Sequence, residues 1–141
     1  METDIKQLIS EALEARKSSY SPYSKYRVGA ALLCDDGSII RGCNIENASY
    51  GASVCAERCA AFKAVSSGKG GFSALAVAGG GEDEIEPLSD YAYPCGICRQ
   101  VLREFVVPET FKIYVAKSVN DYREYTLGNL LPDSFGPDNL R

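Results

Sequence analysis

Apolar side chains at Ile5, Leu8, Ile9, Ala12 and Leu13 fall at i, i+3, i+4, i+7 and i+8. That spacing marks one face of an amphipathic helix, with Thr3 at its N-cap position. SSYSPYSKY then interrupts the pattern as a polar loop around Pro22. YRVGAALLC and SIIRGCNI are short apolar runs flanking Asp35-Asp36-Gly37, which predicts a β-hairpin. ENASYGAS reads as a loop, and Ser53 as the N-cap of a helix running to about Ser67. Beyond GKGG, ALAVAG has the character of a buried strand, and GGGEDEIEPLSD that of a glycine-rich, acidic solvent loop. CGICRQVLREF predicts a further helix with Val101, Leu102 and Phe105 apolar, TFKIYVAK a strand, and LLPDSFGPDNLR a turn-rich tail. The order α-β-β-α-β-α-β, with room for one more short strand, suits a single α/β domain over residues 1–141. The expected architecture is three-layer α-β-α, with a mixed sheet of about five strands between helices. No internal repeat or linker interrupts it.

Size and charge narrow the function classes. The 141 residues are enough for one domain with a core, and 45% hydrophobic and 24% charged residues are ordinary for a soluble protein. The net charge is -4 and no basic run is present, so neither a nucleic-acid backbone nor a membrane surface is an expected partner. Apolar runs are too short to span a bilayer, and the start METDIKQL carries no signal-peptide pattern. A cytoplasmic protein is expected. Six cysteines in a reducing compartment point to metal or catalysis more than to disulfides. The absence of histidine removes Ser-His-Asp and Cys-His catalysis and every imidazole metal ligand.

VCAERCA places Cys55 and Cys59 one helical turn apart, and PCGIC places Cys95 and Cys98 as C-x-x-C where a helix should begin. C-x-x-C alone fits a redox pair or half of a zinc site equally. With Cys55 in the first turn of its own helix, two positive helix ends could serve one thiolate cluster. Three thiolates leave zinc an open, catalytic position; four close it into a structural module. Cys59 decides between the two. It lies a turn deeper, about 6 Å along the axis, among Ala60, Ala61, Ala64 and Val65, and reads as a core residue, as do Cys34 and Cys43.

C-A-E at Cys55–Glu57 followed by P-C-x-x-C at Pro94–Cys98 resembles the zinc-dependent nucleobase deaminases. YSPYSKYRVGAALL, GCNIENASYGASVCAER, YPCGICRQVLREF and LLPDSFGP narrow the resemblance to the small three-cysteine cytidine deaminases, over about Ser19 to Phe135. The resemblance implies one Zn²⁺ per chain on Cys55, Cys95 and Cys98. It implies hydrolytic deamination of cytidine and 2′-deoxycytidine, in pyrimidine salvage. A relative acting on another aminopyrimidine nucleoside is the nearest alternative.

The chemistry then assigns roles. Zinc lowers the pKa of bound water from about 15.7 to about 7, preparing it for attack at C4, and Glu57 is placed to shuttle its proton to N3 and the leaving amine. Three thiolates outweigh the charge of Zn²⁺ by one, and Arg58 is the residue expected to offset the excess. Without the cysteines, Glu57 would read as a dipole-stabilising residue and Arg58 as a surface ion-pair partner. By position in the family, Asn44 and Glu46 bind the ribose hydroxyls. Tyr26 stacks on the base where the family usually has phenylalanine, and the Ala56 N–H and the Tyr93 carbonyl read the base edge. Phe135, Ala48 and Tyr50 approach a neighbouring subunit's site, which implies a homotetramer.

Overall fold

The structure, a computed structural model, describes residues 4–140, so the expected cap Thr3 lies outside the described residues. Helix α1 spans Ile5–Ala15 and is capped by the Asp4 carboxylate, which accepts from the Lys6 N–H at 3.0 Å. The hairpin is β1, Tyr26–Cys34, and β2, Ile39–Cys43, turning at Gly37 with φ +90°. Then come α2 (Ala56–Ser66), β3 (Phe72–Gly81), α3 (Gly96–Arg103), β4 (Lys112–Ser118), β5 (Asp121–Thr126) and the single turn α4 (Leu127–Leu130). The mixed sheet has the order β2-β1-β3-β4-β5. Of these five strands only β3 and β4 pair in parallel, and α3 lies in their crossover. No helix among the described residues is long and apolar enough to cross a membrane.

Strand alternation sorts the core onto two faces. Ala31, Ala74, Ala76 and Ala116 meet Leu8, Ile9 and Ala12 of α1. Ala30, Leu32, Leu75, Val77, Ile113 and Val115 meet Ala56, Ala60 and Ala64 of α2 and Leu102 of α3. The expected three layers are therefore present, with the sheet in the middle.

Two glycines set how closely the helices approach. A Cβ on Gly29 would stand 2.0 Å from the Ala12 carbonyl oxygen of α1, and one on Gly42 2.4 Å from the Ala60 nitrogen of α2. Both helices thus ride directly on strand backbone, one on each side.

Two expectations need correction. Gly79, Gly80 and Gly81 are not a solvent loop: they pair with Val28, Arg27 and Tyr26 as the end of β3. A Cβ on Gly79 would crowd Ala92, Val28 and Tyr26 at 2.9 to 3.1 Å, so the residue is small because side chains close over it. Buried Arg16 fastens this end of the strand, donating to the carbonyls of Arg27, Gly80, Gly81 and Glu84. Nor is Ser53 the cap of α2. Ser53 and Val54 are extended, and Val54 exchanges both backbone hydrogen bonds with Ile45 at 2.9 and 3.0 Å. The helix can start only after that bridge, which makes Cys55 its N-cap.

Gly42→Ala should lower stability by about 2–3 kcal/mol and reduce bound metal by displacing the start of α2. Gly70→Ala, with open space around it, should change neither; thermal unfolding and metal content per chain are the readouts.

Candidate active site

Two helix N-termini meet on one side of the sheet, and each presents a sulfur. Cys55 caps α2, and Cys95 caps α3 with its Sγ accepting from the Cys98 N–H at 3.5 Å. Cys98, one turn into α3, is completely buried. The Cys55 and Cys95 sulfurs are 3.7 Å apart, those of Cys95 and Cys98 3.4 Å, and all three lie within 4.8 Å of one another. Sulfurs at the corners of a tetrahedron around zinc, about 2.3 Å from it, would stand about 3.8 Å apart. The cluster therefore fits that ion with little movement. Cys59 is not in it. It is half-buried and near Cys43, itself half-buried, so the expected core placement holds fully only for buried Cys34.

The electrostatics favour a thiolate at Cys55. The Cys55 thiol is pulled down to about 5, first by the Cys98 thiol beside it and then by Arg58 and Cys95. Cys98 is pushed up, first by Cys55 and then by burial. Arg58 Nη2 donates to Cys55 Sγ at 3.5 Å, and Cys55 in turn raises the guanidinium pKa. The N-terminal ends of two helices add partial positive charge at the same point.

Glu57 lies beside the cluster with only 4% of its surface exposed. Burial is the main cause that pushes its carboxyl up to about 7, and the Cys55 charge adds to it. A carboxyl that titrates near neutrality can both take and give a proton.

A cavity of about 510 Å³ opens in front of these groups. Tyr26, Asn44, Glu46, Tyr50, Ala56 and Tyr93 line it together with Cys55, Glu57, Arg58 and Cys95. The bridges of Ile45 to Tyr20 and to Val54 hold the Asn44–Glu46 segment against the chain entering Cys55. The Asn44 amide is largely engaged: Oδ1 accepts from the Val28 N–H at 2.9 Å and Ser19 Oγ at 2.5 Å, and Nδ2 donates to the Tyr26 carbonyl at 2.8 Å. Glu46 accepts from the Tyr23 and Ser24 N–H groups at 3.0 and 3.1 Å and from the Ser24 hydroxyl. Ala48 and Phe135 do not line this cavity. Phe135 is 59% exposed, and its carbonyl accepts from Gln100 Nε2 at 2.8 Å.

The apolar walls Val28, Val77, Ala92 and Ile97 were not expected. For Val28 a signal existed, because strand alternation puts it on the same face as Tyr26. For the others only the fold brings them here.

A family model for the cytidine and deoxycytidylate deaminase zinc-binding region matches residues 2–114. The chain belongs to this family. It is 47% identical over 137 residues to a cytidine deaminase of Halalkalibacterium halodurans, covering 97% of this chain and 98% of that protein. With a Mycobacterium tuberculosis cytidine deaminase it shares 42% identity over 140 residues, covering 99% and 95%. The crystal structure of cytidine deaminase from Burkholderia pseudomallei superposes with a TM-score of 0.82 at 42% identity, covering 94% of this chain and all of that one. In this zinc-binding family, the ion that the three-sulfur cluster fits is zinc.

Replacing Cys55 by Ala should lose the metal, whereas Cys59→Ala should keep one zinc per chain; elemental analysis of purified variants decides. A second outcome concerns Glu57. In metal-free protein the folded state holds its proton up to about pH 7, while the unfolded chain releases it near the ordinary value of 4.5. That contribution is complete below pH 4.5 and is lost as pH rises through 7. Metal-free Glu57→Gln should therefore match metal-free wild type near pH 4.5 and exceed it by about 3 kcal/mol at pH 8, measured by urea unfolding.

Proposed function

We propose that the protein, acting as one domain, hydrolytically deaminates cytidine and 2′-deoxycytidine to uridine and 2′-deoxyuridine with release of ammonia. The observation that carries this reading is the buried Glu57 carboxyl beside three clustered thiols at the floor of a nucleoside-sized cavity. Cys55, Cys95 and Cys98 would hold zinc, which would supply an activated water at neutral pH. Glu57 takes one proton from the attacking water and passes it to N3 of the ring, then takes the remaining proton of the C4 hydroxyl and gives it to the departing amine as the C4–N bond breaks and the C4 carbonyl forms. Arg58, donating to Cys55, offsets the excess negative charge of three thiolates.

Substrate is held by groups at the two ends of the cavity. The Ala56 N–H, at a helix start, and the Tyr93 carbonyl read the base edge, and the Tyr26 ring packs on its face. Asn44 has spent its carbonyl oxygen on Val28 and Ser19, which leaves one Nδ2 hydrogen to donate to a ribose oxygen. Glu46, fixed by the Tyr23–Ser24 backbone, accepts from a ribose hydroxyl with its remaining lone pairs. Phe135 and Ala48, exposed and away from their own cavity, with Tyr50 at 74% exposure on its rim, suit a homotetramer in which subunits complete one another's sites. A cytoplasmic role in pyrimidine salvage follows from this activity.

Glu57→Gln should keep zinc and bind cytidine while turnover falls on the order of 10²–10⁴-fold, read from the loss of cytidine absorbance. Loss of zinc from this variant would instead make Glu57 a ligand.

A further inference from the structure

Tyr93, on the cavity wall, is gripped by a strand that does not line the cavity. Arg123 Nη1, on β5, donates to the Tyr93 hydroxyl at 2.7 Å, and the Tyr93 and Tyr125 hydroxyls are 3.1 Å apart. The Tyr93 and Tyr125 rings meet edge-on, 5.8 Å between centroids. Two residues before Tyr93, the Tyr91 ring has the Arg123 guanidinium 4.1 Å and the Lys117 ammonium 4.5 Å from its centroid. The Tyr91 hydroxyl donates to the Asp121 carboxylate. One arginine thus engages two aromatic residues of the same segment, one by its N–H and the other by its planar face.

The register explains why it can. Arg123 stands opposite Val115 and Tyr125 opposite Ile113, and Val115 and Ile113 point to the α2–α3 side of the sheet. Both β5 side chains therefore rise on the side where the site lies. The segment they hold needs such support, because no helix or strand covers Tyr91–Cys95. It ends on a metal-cluster cysteine, and Ala92 and Tyr93 are cavity wall. At its C-terminal end Arg99 Nε donates to the Pro94 carbonyl at 2.7 Å, and upstream of it the Leu88 N–H donates to the Lys117 carbonyl at 2.9 Å.

We propose that Arg123 and Tyr125 are positioning residues for substrate, fixing Tyr93 and thereby the base-facing wall of the cavity. The part of this inference that concerns the base rests on the deaminase reading given above. The grip itself does not.

The test compares Arg123→Leu, Arg123→Lys, Tyr93→Phe and the double variant Arg123→Leu/Tyr93→Phe in full-length, zinc-loaded protein. Arg123→Leu should raise KM for cytidine about 5–20-fold while kcat stays within about threefold and zinc remains at one per chain. Amide exchange over Tyr91–Tyr93 should rise about tenfold, with β1 and β3 unchanged. Tyr93→Phe should move KM the same way, and the double variant should be no worse than Arg123→Leu by more than about twofold, because both changes remove one contact. Arg123→Lys should recover only part of the loss, since an ammonium reaches the hydroxyl but lacks a planar face for Tyr91.

Unchanged KM and exchange in Arg123→Leu would overturn the proposal, as would multiplicative effects in the double variant. Zinc loss in step with the KM change would also overturn it, placing the effect at the metal cluster. If wild type failed to deaminate cytidine, the substrate reading would fall, and the exchange measurement would still decide the grip.

Discussion

Three cysteine sulfurs within 4.8 Å of one another, if all ionised, repel strongly unless positive charge surrounds them. The rest of the site is arranged around that repulsion. Two helices begin at the same point, each with a cysteine in the cap position, so unpaired N–H groups and the positive ends of two dipoles face the sulfurs. Arg58 contributes a full positive charge in contact with Cys55. A cation held by Cys55, Cys95 and Cys98 would complete the balance.

Bringing two helix starts together makes demands on the scaffold. Helix α2 must lie close on β2, and Gly42 allows backbone to meet backbone there. Helix α1 is pressed on the opposite face at Gly29, so the hairpin is held from both sides. The Ile45–Val54 bridge sets where α2 starts, and it moves Cys55 from inside the helix to its mouth. On the other side of the site, Gly79 makes room for Tyr26, Val28 and Ala92, and buried Arg16 ties down the end of the strand that carries it. The path from packing to chemistry is short: the close contacts at Gly42 and Gly79 place α2 and the Tyr26, Val28 and Ala92 walls of the cavity.

Glu57 shows the conflict between stability and function in one residue. A carboxyl with 4% exposure next to thiolates is an unfavourable place for negative charge, and its raised pKa reports that cost. The same cost gives it the proton affinity that an acid–base group needs near neutral pH. In the catalytic reading proposed above, burial of Glu57 serves proton transfer at the expense of the fold.

Much of this was legible in the residues. The 3.6 and 2.0 periodicities gave the elements and the mixed sheet, because side-chain direction follows directly from local backbone geometry. The cysteine spacing, with no histidine to compete, singled out Cys55, Cys95 and Cys98 over Cys59, and the motifs around them pointed to the family. What stayed hidden depended on contacts between segments far apart in the chain. Ser53 has the composition of a helix cap, but a bridge to Ile45 overrides that preference. The triple glycine resembles a loop until the close approach of Tyr26, Val28 and Ala92 shows why a strand needs it. Arg123 and Tyr125 sit in a strand with no motif, and only the register of β4 with β5 turns them toward the site. The sequence by itself determined which groups can do the chemistry, since that is a property of residue type and short spacing. Tertiary structure alone decided where each group is held and how strongly its proton is bound, since both depend on what the rest of the chain packs against it.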